Sequence, residues 1–373
     1  MATPTEILTL AIEKALSSKD KSIIENLEIV ERIDLVCRNI QNKAGARLLL
    51  ACSLAKIHNP KVDIRKPYTE IGDEDSYSGR TFDEQYINPF IHKHKLPCNP
   101  TTAFLTPALR NRNVVLTLDL NLVGRPPHLY LNVLRLLDDV FTNKISASDL
   151  LTETIRCLLV VRDETSQRMS TLLAGLKASE GTIPLSTESI VKLIEQHLAC
   201  PKSSRLPVLV VAAAYQSASQ YLKERVLPLA AHNAADEQTG SLGDIEITLI
   251  NDDNVVTCYE MKTKRITSDD IDRALQKIAL SRIRIDNYIF ITTDVIDLVV
   301  QEYAKSVYEK TNGIEMVVLD CISFLRYFLH LFYRIRLNYL NAYQELVLSE
   351  ADSGVSQPLK EAFLALRQAV ESN

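Results

Sequence analysis

The sequence predicts a mixed α/β fold, in which helices flank a small central mixed sheet and a large, mainly helical part precedes it. Three observations predict it. Two β-rich runs, Ile245–Ile250 and Val255–Tyr259, are separated by the polar turn Asn251-Asp252-Asp253-Asn254, which is a hairpin pattern. Two further apolar runs, Tyr288-Ile289-Phe290-Ile291 and Met316-Val317-Val318-Leu319, each follow a stretch of helical spacing. Helical spacing also dominates residues 1–58 and the stretch from Pro126 to about Cys200. Helix, hairpin, helix, strand, helix, strand builds a layered α/β core.

The elements follow in order. Residues 1–58 carry apolar positions at helical intervals, including Ile7, Leu10, Leu16, Ile23, Leu27 and Ile33, with Leu48-Leu49-Leu50 as a buried segment. Residues 60–125 change character: prolines at 60, 67, 89, 97, 100 and 107 make this the loop-richest region. From Pro126 helices return, one packed by Leu129, Val133 and Leu137 and another by Leu150, Ile155 and Leu159. Ser203-Ser204 and Pro207 open a helix that Pro228 is expected to end or bend. Thr267 and Asp270 stand at capping-box spacing before a helix with Ile271, Leu275 and Ile278 on one face. A helix near 297–311 and a long aromatic helix around Phe324–Tyr333 complete the core. The expected division is 1–200 as the helical N-terminal region, 201–350 as the core and 351–373 as a helical tail.

The chemistry concentrates in the hairpin. Thr239-Gly240-Ser241-Leu242-Gly243 is turn chemistry leading into Asp244, and fifteen residues later Tyr259 precedes Glu260-Met261-Lys262. Strand side chains alternate, so Glu260 and Lys262 share one face and interrupt an otherwise apolar run. A hairpin brings Asp244 beside Glu260. Two carboxylates then hold a hard cation through oxygen ligands, with an ammonium close by. Asp244, Glu260 and Lys262 are the expected catalytic residues, and Asp244 and Glu260 the metal ligands. Glu246, on the same face as Asp244, and Glu237 are additional acidic candidates. The bland alternative is a surface hairpin with solvated charges.

The pattern Asp244 … Glu260-Met261-Lys262, with a helix before it and a helix and strand after, resembles the PD-(D/E)xK nuclease superfamily, with Gly243 where the first motif often has proline. The tract from Ala235 to Asp244, Tyr259-Glu260-Met261-Lys262 and Ser78-Gly79-Arg80-Thr81-Phe82-Asp83-Glu84 resemble type II restriction endonucleases of the SacI kind. That resemblance implies a bacterial, cytoplasmic homodimer that cuts double-stranded DNA at a short palindromic site in a magnesium-dependent way. A cognate methyltransferase would protect the host, and a GAGCTC-type hexamer is the site the family's namesake reads.

Base-reading side chains gather in the loop-rich region. Between residues 76 and 125 six Arg and Lys stand against three Asp and Glu. Arginine and asparagine make paired bonds to guanine and adenine edges. Arg80, Asp83, Asn99, Asn111, Arg112 and Asn113 are the candidate recognition residues, against the alternative of a solvated connecting region. Lys264 and Arg265, with Lys277, Arg282 and Arg284, add positive charge beside the motif. His92-Lys93-His94 has no third ligand nearby and reads as surface.

Composition sets the outer bounds. Charged residues make up 24% of the chain, which with 46% hydrophobic residues marks a soluble globular protein. Seven scattered cysteines without close pairs read as reduced, small buried residues, neither a disulfide nor a zinc framework. No window suits a membrane span or a signal segment, so an interior location follows. The net charge of −5 argues mildly against nucleic acid, although local basic surface decides affinity. Other classes stay open: a nuclease-fold protein of DNA repair or mobile elements, a non-catalytic DNA-binding module, and an unrelated α/β structural protein.

Overall fold

The computed structural model describes residues 2–178, 184–229, 241–252, 254–281 and 285–372. The chain forms two compact units, residues 1–168 and 169–373.

The first unit is helical. Helix α1 (Pro4–Ser17) begins with a reciprocal cap: the Thr3 hydroxyl accepts from the Glu6 amide, and Glu6 Oε2 accepts from the Thr3 amide at 2.8 Å. Helix α2 (Leu27–Cys37) starts on an Asn26 cap. Helix α3 (Ala44–His58) is buried on every side from Ala44 to Ala55, the polar Arg47 and Ser53 included. The short α4 (Gly79–Phe82) runs through a π-turn, Asp83–Ile87, into α5 (Asn88–Lys93). Helix α6 (Pro127–Phe141) follows, and α7 (Ala147–Ala178) crosses the division between the units.

The second unit holds the sheet. Helix α8 (Thr187–Leu198) precedes α9 (Leu206–Leu222), whose residues 206–214 are all buried. Pro228 does not end this helix. It closes at Lys223, which takes a left-handed conformation (φ 59°), and leads directly into a short strand β1 (Glu224–Val226) that hydropathy gave no reason to expect. Strands β2 (Ile245–Leu249) and β3 (Val255–Lys262) form the expected hairpin. Helix α10 (Ser268–Ser281), β4 (Asn287–Thr292), α11 (Leu298–Thr311) and β5 (Glu315–Asp320) follow in the expected order. Asp270 Oδ2 accepts from both the amide and the hydroxyl of Thr267 at 2.9 Å, so aspartate performs the glutamate half of the capping box.

Spatial order in the five-stranded sheet equals chain order. β1, β2 and β3 are antiparallel neighbours, whereas β3, β4 and β5 are parallel, joined by α10 and α11 as crossovers. The sheet is therefore mixed and covered on both faces. Ile245, Ile247, Tyr259, Ile289 and Ile291 pack one face with α8 and α9. Cys258, Tyr288, Phe290 and Val318 pack the other with Ile271, Ala274 and Ile278 of α10 and Val300, Ala304 and Val307 of α11.

The aromatic segment is not one long helix. α12 (Cys321–Leu331) stops at Phe332, a 3₁₀ turn spans Tyr333–Ile335, and α13 (Arg336–Ser349) continues. Helix α14 (Gln357–Glu371) buries Leu359, Phe363 and Leu364 in the same core as α8 and α9. Helix α14, in the segment expected as a helical tail, thus packs into the core of the sheet-bearing unit. That unit also begins before residue 201, because Ile190, Val191 and Ile194 of α8 belong to its core. Among the described residues, no helix is long and apolar enough to cross a membrane.

Candidate active site

Register decides where the acidic residues meet. Ile245 pairs with Tyr259 across the antiparallel β2–β3 ladder, so one step further Asp244 lies opposite Glu260. Opposed residues in such a ladder project to the same face. Gly243 makes the approach possible: a Cβ there would sit 2.6 Å from the Tyr259 carbonyl oxygen, a clash with backbone that cannot yield easily. The chain entering β2 can therefore press against β3. Asp244 Oδ2 then accepts from the Met261 amide at 2.7 Å, which clamps its carboxylate to the strand between Glu260 and Lys262.

Alternation along β3 sends Tyr259 and Met261 into the α9 side and leaves Glu260 and Lys262 on the α10 side. Lys262 Nζ lies 2.8 Å from Glu260 Oε1. Both side chains stay accessible, at 33% and 18% exposure, so a ligand can reach them. The hydroxyl of Tyr288, on β4, is 3.0 Å from the Leu242 carbonyl and 3.3 Å from Glu260 Oε2. Asp244 and Glu246 also line a cavity of about 210 Å³.

The electrostatics follow from crowding charge under partial burial. Burial, followed by the charge of Glu260, holds the Asp244 carboxyl above its ordinary range. The Met261 amide, Lys262 and Arg205 pull the other way without cancelling this. Burial would lower Lys262, but the bond to Glu260 and the charges of Glu260, Asp270 and Asp244 outweigh it and leave its ammonium above the usual lysine range.

The structure thus brings Asp244, Glu260 and Lys262 together. Glu246 shares their face, opposite Cys258, but its Oε1 accepts from the Leu242 amide at 2.7 Å and braces the turn before Asp244. Glu237, Arg282 and Arg284 lie outside the described residues. Among the described residues no group of three or more His, Cys, Asp or Glu is arranged to hold a metal ion. Lys264 is exposed, and Arg265, also exposed, pairs with Asp297.

The candidate DNA-recognition residues lie in the first unit and divide into two kinds. Asp83 must be corrected. It is fully buried, with Oδ1 2.6 Å from Arg47 Nε and Oδ2 accepting from the Thr102 hydroxyl and the Ala103 amide. A carboxylate whose oxygens are all engaged inside the core is an internal brace, with nothing left for a base edge. Asn99 is half-buried: its carbonyl accepts from Arg47 Nη1 at 2.7 Å and its amide donates to the Thr101 carbonyl. Arg80 is exposed and pairs with Glu84, and Arg112 is half-buried, its Nε donating to the Ala108 carbonyl. Asn111 and Asn113 are exposed, both in left-handed backbone conformations (φ 54° and 48°) that asparagine tolerates.

Two residues near the site escaped the sequence reading. Arg205, buried at the start of α9, acts electrostatically on Asp244 and pairs with Glu350 at 3.4 Å. Tyr288 had a visible signal: a hydroxyl in an otherwise apolar parallel strand needs a buried partner.

Residues 183–293 match the family model described as SacI restriction endonuclease C-terminal domain. No curated protein matches the chain. The matched stretch runs from α8 through β4 and contains Asp244, Glu260, Lys262 and Tyr288; the tract Ser78–Glu84 lies outside it. Over that stretch the sheet-bearing unit is similar to the C-terminal domain of SacI restriction endonuclease.

Proposed function

We propose that this chain is a type II restriction endonuclease with a PD-(D/E)xK core, hydrolysing phosphodiester bonds in double-stranded DNA with Mg²⁺ at a short palindromic site, of the GAGCTC type. It acts as a homodimer inside a bacterial cell, opposite a methyltransferase that modifies the same site. The observation that carries this reading is the meeting of Asp244, Glu260 and Lys262 at one end of β2–β3, within reach of solvent.

The donor set fits Mg²⁺. That ion is commonly held by one or two carboxylates plus waters and substrate phosphate oxygens, not by a full protein cage. Asp244 and Glu260 are such a pair, and the raised carboxyl of Asp244 marks a place where a cation relieves unfavourable negative charge. When bound, the metal neutralises charge building on the phosphate and makes a water more acidic. Asp244 is kept in position by the Met261 amide and Glu260 by Lys262 and Tyr288. Lys262 offers an ammonium to the scissile phosphate and orients the attacking water for in-line displacement of the 3′ oxygen. Lys264 and Lys277 add positive charge in sequence near the motif, and Lys262 and Arg265 are paired with Glu260 and Asp297.

The test is digestion of phage DNA by the purified chain with Mg²⁺, with and without EDTA. Discrete fragments that vanish with EDTA are expected. Lys262→Ala is expected to abolish cutting while keeping duplex binding in Ca²⁺, with an affinity that falls steeply with salt. Normal cutting by Lys262→Ala removes the assignment, and EDTA-insensitive or random degradation removes the type II reading.

A further inference from the structure

We propose that Tyr288 is a positioning residue for Glu260, and that its hydroxyl ties the turn before Asp244 to the strand that carries Glu260. This inference rests on the metal-dependent reading above. Tyr288 is 1% exposed and lies in parallel register with Cys258, so it shares the sheet face of Glu260. Its hydroxyl has one proton and two acceptors: the Leu242 carbonyl at 3.0 Å and Glu260 Oε2 at 3.3 Å. Leu242 stands two residues before Asp244.

Each oxygen of Glu260 therefore has its own neighbour. Oε1 faces Lys262 on the same strand at 2.8 Å, and Oε2 faces Tyr288 on the next strand. Lys262 is 33% exposed and free to swing toward a phosphate, whereas Tyr288 is locked in the core. When Lys262 leaves, Tyr288 still fixes the plane of the carboxylate. The Leu242 carbonyl shares the phenolic proton and anchors the hydroxyl, so it is held beside Glu260 Oε2 and cannot turn away from that carboxylate. Phenylalanine fills the same space beside Phe290, whose ring centroid is 5.2 Å away, and removes only this oxygen.

Mn²⁺ binding to the full chain without DNA, followed by the loss of the free-ion paramagnetic resonance signal, separates the possibilities. Wild type binds, Asp244→Asn does not, and Tyr288→Phe is expected to bind at least about 10-fold more weakly, the lower end for losing a group that orients a metal ligand. A purely structural tyrosine would lower the melting temperature and leave the Mn²⁺ affinity of the folded protein unchanged; that result overturns the inference alone. Failure of the wild type to bind Mn²⁺ overturns the metal-dependent reading and the inference with it. A ¹³C label at Cζ of Tyr288 gives the same answer without substitution, even where Tyr288→Phe does not fold. Saturation with Mg²⁺ is expected to shift the resonance, and an unmoved resonance overturns the inference.

Discussion

Asp244→Asn is expected to stabilise the metal-free protein while destroying its activity. Asparagine keeps a carbonyl oxygen to accept from the Met261 amide, so the 2.7 Å clamp survives. What disappears is a partly buried negative charge facing Glu260. Opposed residues in an antiparallel ladder have Cβ atoms about 5 Å apart. Unit charges at that spacing repel by about 3 kcal/mol at the effective dielectric of about 20 that suits protein sites. Lys262 and Arg205 attract Asp244 and offset much of this, leaving a net gain of about 1 kcal/mol, within the range common for relaxing a functional site. For a unit of this size that raises the midpoint by about 3 °C. The assay is thermal unfolding by circular dichroism in EDTA at neutral pH, paired with cleavage in Mg²⁺, where the loss should exceed about 100-fold. A variant that melts below wild type without metal, or cuts like wild type, refutes the argument that these two carboxylates are held together against their mutual repulsion.

Three further substitutions or conditions probe the frame around the site. Gly243→Ala places a Cβ 2.6 Å from the Tyr259 carbonyl and should cost about 1–3 kcal/mol in urea unfolding, with weakened metal binding as the strands part. Asp83→Ala strands the buried Arg47 and should cost about 3–5 kcal/mol; unchanged stability with an altered cleavage sequence would instead return Asp83 to base reading. His197 is buried with Nε2–H donating to the Leu359 carbonyl and Nδ1 accepting from the Tyr343 hydroxyl, and burial pushes its pKa down to about 4. Above an ordinary histidine pKa both folded and unfolded forms are neutral; as pH falls below it the unfolded form takes up the proton first. Stability should therefore drop by about 2 kcal/mol between neutrality and about pH 5. His197→Gln should flatten that slope in urea titrations at several pH values, and an unchanged slope would show that another group carries it.

The hairpin was legible because three local signals agreed there. Alternating apolar positions set the strand faces, Asn251–Asn254 set the turn, and Glu260 and Lys262 broke an apolar run at the same face. The crossover helices and parallel strands were legible for a similar reason, since α10 and α11 each separate an apolar run from the next. Strand β1 was not: three residues, Glu224-Arg225-Val226, carry too little periodicity, and only pairing with β2 makes them a strand. The break at Phe332 was equally silent, since an aromatic helix and an aromatic turn have the same composition.

Sequence by itself determined the residue types and their alternation, and with them the pairing of Asp244 with Glu260-x-Lys262, because strand periodicity is a property of neighbours along the chain. Tertiary structure decided everything that depends on distant partners. It turned Asp83 from a candidate base reader into the buried counter-ion of Arg47, and Glu246 into a brace for Leu242. It also aimed the hydroxyl of Tyr288, twenty-eight residues further along the chain, at Glu260. Charge in a protein takes its role from what surrounds it, and only folding assembles those surroundings.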